Sequence, residues 1–392
     1  MTDIKIESVR NIALVGPAGA GKTTLAERLL AKAGAIKAPG SVDRGTTVCD
    51  FDPQERELKH SLETAVCHFE HQGTRINLID TPGYPDFIGR SISVLPAVET
   101  AALVLSAQAG IESGIRRLMD AAKKSRLCRM IIINKIDMEP AKLGTLLAEI
   151  QDVFGKRCLP LNLPAENGSK VFGCFFAPEG GDTDFSSISE AHEKIVDQVV
   201  EVDEELMEAY LESGDELKPG QLHDAFEKAL REGHLMPVCF VSAETDTGID
   251  ALLDIIIKLL PNPAEGNPPP FLRGEGDDAE PVEVAPDPSQ HVIAHVFKVV
   301  VDPYIGRMGV FRVHQGTVTP NTQLLIGDAR KPFKASHLYR LQGKEAEEIP
   351  SAGPGDICAV SKVEEIFYDA VLHDSHDEDN FHLRPAALSP PM

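Results

Sequence analysis

The feature that most constrains this chain is the run Gly16-Pro17-Ala18-Gly19-Ala20-Gly21-Lys22-Thr23. It follows a short apolar stretch, Asn11 to Val15, and opens a helix-period stretch from Lys22 to Ala33 that Gly34 closes. Glycines let a loop wrap a phosphate with backbone N–H groups, and a helix N-terminus adds partial positive charge. Lys22 is placed to reach β- and γ-phosphates and the Thr23 hydroxyl to ligate magnesium, with Thr24 beside it in the first helical turn. A glycine turn with an incidental lysine is the alternative. The strand–loop–helix order argues against it.

Three further strings fall in order along the chain. Asp80-Thr81-Pro82-Gly83 ends the apolar strand Ile76 to Ile79. An acid there can hold magnesium, and the Gly83 N–H can sense a γ-phosphate. Alone, this tetrapeptide reads equally well as a plain turn. Asn134-Lys135-Ile136-Asp137 follows the strand Met130 to Ile133. An aspartate in that place can accept two hydrogen bonds from guanine that adenine does not offer. Ser242-Ala243 follows Val238 to Val241 and can set a backbone N–H against the guanine oxygen. Each string is weak alone. Four in this order, each at a strand's C-terminal end, belong on one rim of a sheet, where such folds bind ligands.

Strand–helix alternation before Pro261 implies a parallel sheet with helices on both faces. From Cys158 to Leu235 the alternation is interrupted, and one long helix is expected over Ile188 to Leu211 with another over Pro219 to Glu232. Pro261 to Gln290 is rich in proline and acid, which favours an extended connector. Beyond it, β-rich segments with turns at Gly316, Thr319-Pro320-Asn321 and Gly353 to Gly355 predict a small antiparallel barrel or sandwich. The expected division is 1–157 with 236–262 as an α/β nucleotide domain, 158–235 as an inserted α+β subdomain, and 263–290 as linker. The remainder divides into an all-β domain at 291–373 and a tail at 374–392.

Composition narrows the partners. Acidic residues outnumber basic ones 61 to 38, a formal charge of -23, so a broad basic face for nucleic acid is excluded and RNA contact must be local. DNA is not an expected partner. Apolar runs such as Ile131-Ile132-Ile133 are strand-sized, so no membrane span is expected, and the first residues show no export leader. Seven scattered cysteines without a Cys-x-x-Cys pair read as reduced thiols of a cytoplasmic protein.

The four strings together resemble the translational GTPases of the elongation factor G family. The resemblance extends to the insert, through Glu204-Glu205-Leu206-Met207-Glu208-Ala209-Tyr210-Leu211, and to the β-rich domain, through Gly306-Arg307-Met308-Gly309-Val310-Phe311-Arg312-Val313. It covers the N-terminal part of that family and stops near where a third domain begins. It implies a monomeric, Mg²⁺-dependent GTPase cycling between GTP and GDP on the ribosome, with ribosomal RNA touched near Arg307. A recycling or ribosome-protection factor shares the same chemistry.

Departures from the family's pattern carry implications of their own. Where its phosphate loop usually has an aspartate stands Gly19, which puts in doubt any monovalent-cation site built on that residue. Its switch segment is replaced by Leu58-Lys59-His60-Ser61-Leu62, in which Ser61 keeps a hydroxyl for magnesium. Its water-positioning histidine is Tyr84 here, which implies slower hydrolysis, with His60 as a replacement imidazole of lesser weight. These features are more like divergent elongation factor G paralogues than the main translocase.

Other residues admit plainer readings. His373, His376 and His382 lie among aspartates and read as a solvated tail rather than a metal site. Arg307 and Arg312 either touch RNA phosphates or flank a barrel strand with solvated heads. Arg116-Arg117 and Lys123-Lys124 read as a solvated helix face, and Tyr210 and Phe226 as core of the insert.

Overall fold

The computed structural model describes residues 5–383 except 113, 177, 214–218, 275 and 303–305. The first half runs β1 (Val9–Val15), α1 (Lys22–Lys32), α2 (Pro53–Leu58), β2 (Ala65–His71), β3 (Thr74–Asp80), α3 (Ile88–Ser93), β4 (Thr100–Ser106), α4 (Ile115–Lys124), β5 (Cys128–Asn134) and α5 (Leu143–Phe154). There follow β6 (Cys158–Pro160), β7 (Asn162–Ala165), β8 (Lys170–Gly173), α6 (Ile188–Val200), α7 (Glu204–Ser213), α8 (Pro219–Glu232), β9 (Met236–Phe240) and α9 (Ile249–Leu259).

Seven strands form one sheet in the order β2-β3-β1-β4-β5-β9-β6. All neighbours are parallel except the edge pair β2–β3. β1 and β4 are buried along their whole length, as continuous apolar strands must be when helices cover both faces. One face packs Leu25, Leu29 and Leu30 of α1 with Ile249, Leu252 and Ile256 of α9, and with Ile195 and Phe226 from the insert helices. The other packs Ile92, Leu118 and Ile150 from α3, α4 and α5. Because the parallel strands share a direction, Val15, Asp80, Asn134 and Phe240 all end at one rim.

The second half contains β10 (Phe271–Arg273), β11 (Glu280–Val282), β12 (Ile293–Asp302), β13 (Gly306–Gln315), β14 (Gln323–Ile326) and β15 (Phe333–Lys334). It ends with β16 (Leu338–Gln342), β17 (Glu345–Glu348), β18 (Ile357–Ser361), β19 (Val371–His373) and β20 (Phe381–Leu383). Eight of these strands make an antiparallel sheet, β15-β14-β19-β12-β13-β18-β16-β17, which has its own core of Val296, Phe311, Leu324, Leu338, Val360 and Leu372. The fold class expected from the sequence is therefore found. Among the described residues no helix is long and apolar enough to cross a membrane.

Several local expectations are corrected. The single helix over Ile188 to Leu211 is two, because Asp203 accepts a hydrogen bond from the Leu206 N–H at 3.0 Å and starts a new helix. Cys158–Pro160 pairs with β9 in the main sheet, so that sheet extends past residue 157. The connector is not merely extended: β10 pairs with β11 and with β20, burying Phe271, Val284, Phe381 and Leu383 together. The segment after His373 is thereby folded back onto the connector up to residue 383, and the rest of the expected tail lies outside the described residues. His373 itself is fully buried, with Nδ1 2.7 Å from the Ser375 carbonyl and Nε2 2.6 Å from that of Gly327, so it is not solvated. Phe226 is core, whereas Tyr210 is half-buried.

Arg312 fits neither expected role. It is buried, its Nη2 lies 2.6 Å from the Glu99 carboxylate, and its Nη1 donates to the Ala97 carbonyl at 2.8 Å. It fastens the all-β domain to the foot of β4, opposite the loop-bearing rim. Asn11 donates to the other Glu99 oxygen at 2.9 Å, and Asn77 donates to Asn11, so the joint continues beneath β1 and β3. Arg307 is half-buried, with Nε unpartnered among the described residues.

Candidate nucleotide-binding site

The phosphate end is built on glycine geometry. Gly16 has φ +142°, and a Cβ there would lie 2.3 Å from the Val104 carbonyl oxygen; Gly21 has φ +86°, and its Cβ would lie 2.5 Å from Asn134 Nδ2. Only glycine allows the loop to press against β4 and the Asn134 side chain at once. Lys22 Nζ donates to the Gly16 and Pro17 carbonyls, both at 2.9 Å, and is held over the loop between Pro17, Ala18 and Gly83. Thr24, two residues on from Lys22, is half-buried in the first turn of α1.

Gly83 closes over this loop. A Cβ on it would sit 2.5 Å from both the Ala18 nitrogen and Lys22 Nζ. Its approach is fixed by the Thr81 hydroxyl donating to the Leu14 carbonyl at 2.7 Å and the Ser91 hydroxyl donating to that of Pro82 at 2.9 Å.

Oxygen donors gather beside Lys22. The Thr23 hydroxyl donates to Asp80 Oδ2 at 2.6 Å and lies 3.3 Å from the Ser61 hydroxyl, which donates to Asp50 Oδ1 at 2.7 Å. Asp80 Oδ1 is buried with no partner among the described residues. Burial, and then the neighbouring Asp50 carboxylate, raise the Asp80 carboxyl to about 7, while burial lowers Lys22 to about 8 against the pull of Asp80. Asp50 is also raised, by burial. An unpaired carboxylate oxygen, two hydroxyls and a second acid form an all-oxygen set that suits a hard divalent cation such as Mg²⁺.

The base end is organised by Asn134. Its Nδ2 donates to the Ala20 carbonyl at 3.0 Å, and its Oδ1 accepts from the Ala243 N–H at 3.0 Å and the Lys135 N–H at 2.9 Å. Lys135 Nζ reaches the Gly19 carbonyl at 2.7 Å. One amide side chain thus joins three loops that lie far apart in sequence. Asp137 Oδ1 is buried, with no hydrogen-bond partner among the described residues. The Ser242 and Ala243 amides donate to Thr247 and Asn134, so in this structure they frame the site.

Sequence reasoning missed two acids, Glu27 and Glu55, that hold the chain between Gly40 and Glu63. Glu27 on α1 accepts from the Gly40 N–H at 2.8 Å and the Val48 N–H at 2.6 Å. Glu55 accepts from the N–H groups of Leu62 at 2.9 Å and Glu63 at 3.0 Å. The signals were present: Asp52-Pro53-Gln54-Glu55 is a capping box with proline at the first helical position, and Glu27 interrupts the apolar face Leu25-Ala26…Leu29-Leu30. Tyr84 is 43% exposed and its ring centroid stands 4.4 Å from that of His60.

Residues 7–262 match the family described as Elongation factor Tu GTP binding domain, and residues 291–369 match Elongation factor G domain 2. An elongation factor G-like protein of Mycobacterium tuberculosis is 33% identical over 383 residues, covering 91% of this chain and 53% of the relative. An elongation factor G of Thermotoga maritima is 30% identical over 374 residues, covering 91% and 54%. A solved structure of a protein from Thermus thermophilus superposes with a TM-score of 0.81 at 31% identity, covering 97% of this chain and 56% of that one. The chain spans about half the length of the curated relatives it matches.

Proposed function

Since the chain belongs to the elongation factor G family of translational GTPases, we propose that it binds GTP with Mg²⁺, hydrolyses it, and acts as a switch on the ribosome. One observation carries this reading. Asp80 Oδ1 and Asp137 Oδ1 are both buried without a hydrogen-bond partner among the described residues, which supports a metal role for the first and a guanine role for the second. An unpaired buried acceptor is costly unless a ligand completes it.

In this reading Asp137 selects guanine and the loop from Gly16 to Thr23 wraps the phosphates. Lys22 offsets charge developing on the β- and γ-oxygens during in-line attack by water. Thr23, Ser61 and Asp80 would hold Mg²⁺, which when bound supplies further charge neutralisation there. The Gly83 N–H faces the γ-phosphate, so that its loss releases Gly83 and the Ser61 segment together. Single-turnover GTP hydrolysis with and without ribosomes tests this. Stimulation by ribosomes supports a ribosomal GTPase, and an unchanged rate contradicts it.

A second reading, a nucleotide-gated ribosome-binding module that hydrolyses GTP slowly, is favoured by Tyr84. Its ring is turned against His60 at the protein surface, and a phenol reaches farther than an imidazole from the same backbone. Hydrolysis slower than nucleotide exchange, even on ribosomes, would select it.

A further inference from the structure

We infer that His291, Asp374 and Glu378, at the edge of the all-β domain, form a binding site for a divalent cation of the zinc type. The three come from separate places. His291 lies just before β12, Asp374 just after β19, and Glu378 ends the single turn His376–Glu378. One ligand atom from each lies within 4.8 Å of the other two.

The backbone presents them together for reasons independent of any ion. β12 and β19 pair antiparallel with Ile293 opposite His373, which brings the start of one beside the end of the other. The Val292 N–H donates to Asp374 Oδ1 at 2.8 Å and fixes that carboxylate. The Ser375 hydroxyl accepts from the Asp377 N–H at 3.1 Å and starts the turn that swings Glu378 inward.

Glu378 is what calls for a cation. It is only 9% exposed, and its Oε2 is buried with no hydrogen-bond partner among the described residues. A carboxylate removed from water without a partner is costly. The contact between His291 Nδ1 and Asp374 Oδ1, at 3.2 Å with the imidazole largely exposed, gives Glu378 nothing. That 3.2 Å, however, is close to the roughly 3.3 Å between neighbouring ligands on a tetrahedral centre with bonds of about 2.0–2.1 Å. One imidazole with two carboxylates suits Zn²⁺ better than Mg²⁺ or Ca²⁺, which prefer oxygen alone.

Three protein ligands leave a position for water, but the surroundings point to a structural clamp. Immediately beyond Glu378 the chain returns as β20 to pair with β10. An ion here would tie the polypeptide leaving the barrel to the strand that enters it.

The test is calorimetric titration of the whole chain with ZnCl2, paired with thermal unfolding in EDTA and in excess Zn²⁺. The variants are His291→Ala, the near-isosteric Glu378→Gln, and His376→Ala, an exposed histidine outside the cluster. We expect the parent to bind Zn²⁺ and to gain an upward shift in its unfolding midpoint. One equivalent and the shift should be lost in the first two variants and kept in the third. In EDTA, Glu378→Gln should melt no lower than the parent, since it removes an unpaired buried carboxylate. Zn²⁺ binding unchanged in both ligand variants, or lost in His376→Ala, would overturn the proposal.

Discussion

At the scale of single residues, the site turns on carboxylates with one buried oxygen left unpartnered among the described residues, Asp80 and Asp137. Asp80 is raised to about 7 from an ordinary 3.8, by burial first and the nearby Asp50 second. The sign follows directly. The folded chain holds this proton more tightly than the unfolded one, so charging Asp80 costs stability across pH 3.8 to 7. The ligand-free chain should therefore lose stability as pH rises through that window, and Asp80→Asn should flatten the slope, as thermal melts at stepped pH would read. A steeper slope in Asp80→Asn would refute it. Tyr84 makes a second prediction. With an imidazole at this position, Tyr84→His should raise single-turnover GTP hydrolysis on ribosomes by on the order of tenfold or more, while His60→Ala should do little. A collapse in His60→Ala would instead assign the water-orienting role to His60.

At the scale of elements, the sheet and its motif-bearing loops were legible because buried parallel strands are continuous apolar runs, and glycine-rich loops announce themselves. Four strands of the main sheet, β1, β3, β5 and β9, and the helix α1 were readable in this way. β2 was not, since Ala65–His71 is an edge strand with His68, Glu70 and His71 breaking the apolar pattern. The break at Asp203 was masked by a helix-compatible sequence on both sides. The connector was misjudged because proline and acid dominate its composition and hide the scattered residues that are packed, among them Phe271, Leu272 and Val284. The base loop Asn134–Asp137 was found by its spelling, whereas the role of Asn134 in joining three loops is a property of three dimensions only. The β16–β17 hairpin makes a similar unannounced contact. Gly343 donates to the Val66 carbonyl at 2.9 Å, and a Cβ on it would lie 2.1 Å from the Val48 carbonyl oxygen. With φ at +57° as well, Gly343→Ala should destabilise the fold by about 1–3 kcal/mol. Denaturant titration checks this, and an unaltered midpoint would show that the hairpin yields freely.

At the scale of the whole molecule, the all-β domain shares a buried apolar cluster with the α/β domain, Phe297, Val310 and Ile357 with Ile92, Val94 and Leu95, and two polar joints stand out beside it. One is the hairpin on the switch side, where Lys298 also donates to the Thr64 carbonyl. The other is the buried Glu99–Arg312 pair at the opposite end of the sheet. Arg312→Met would leave the Glu99 carboxylate buried without its cation and should cost about 3–5 kcal/mol; a loss below about 1 kcal/mol in denaturant melts would show that the joint relaxes. Any movement of one domain relative to the other must act on these joints and on the shared apolar cluster together. All of this presupposes a site specific for guanine triphosphate, and one measurement bears on that most directly: calorimetric titration of the chain with GTP and with ATP in Mg²⁺, repeated on Asp137→Asn. The account predicts one GTP bound per chain, ATP weaker by on the order of 100-fold or more, and loss of GTP with gain of xanthosine triphosphate in the variant. Equal affinity for ATP and GTP, or an Asp137→Asn protein that binds GTP as the parent does, would contradict it.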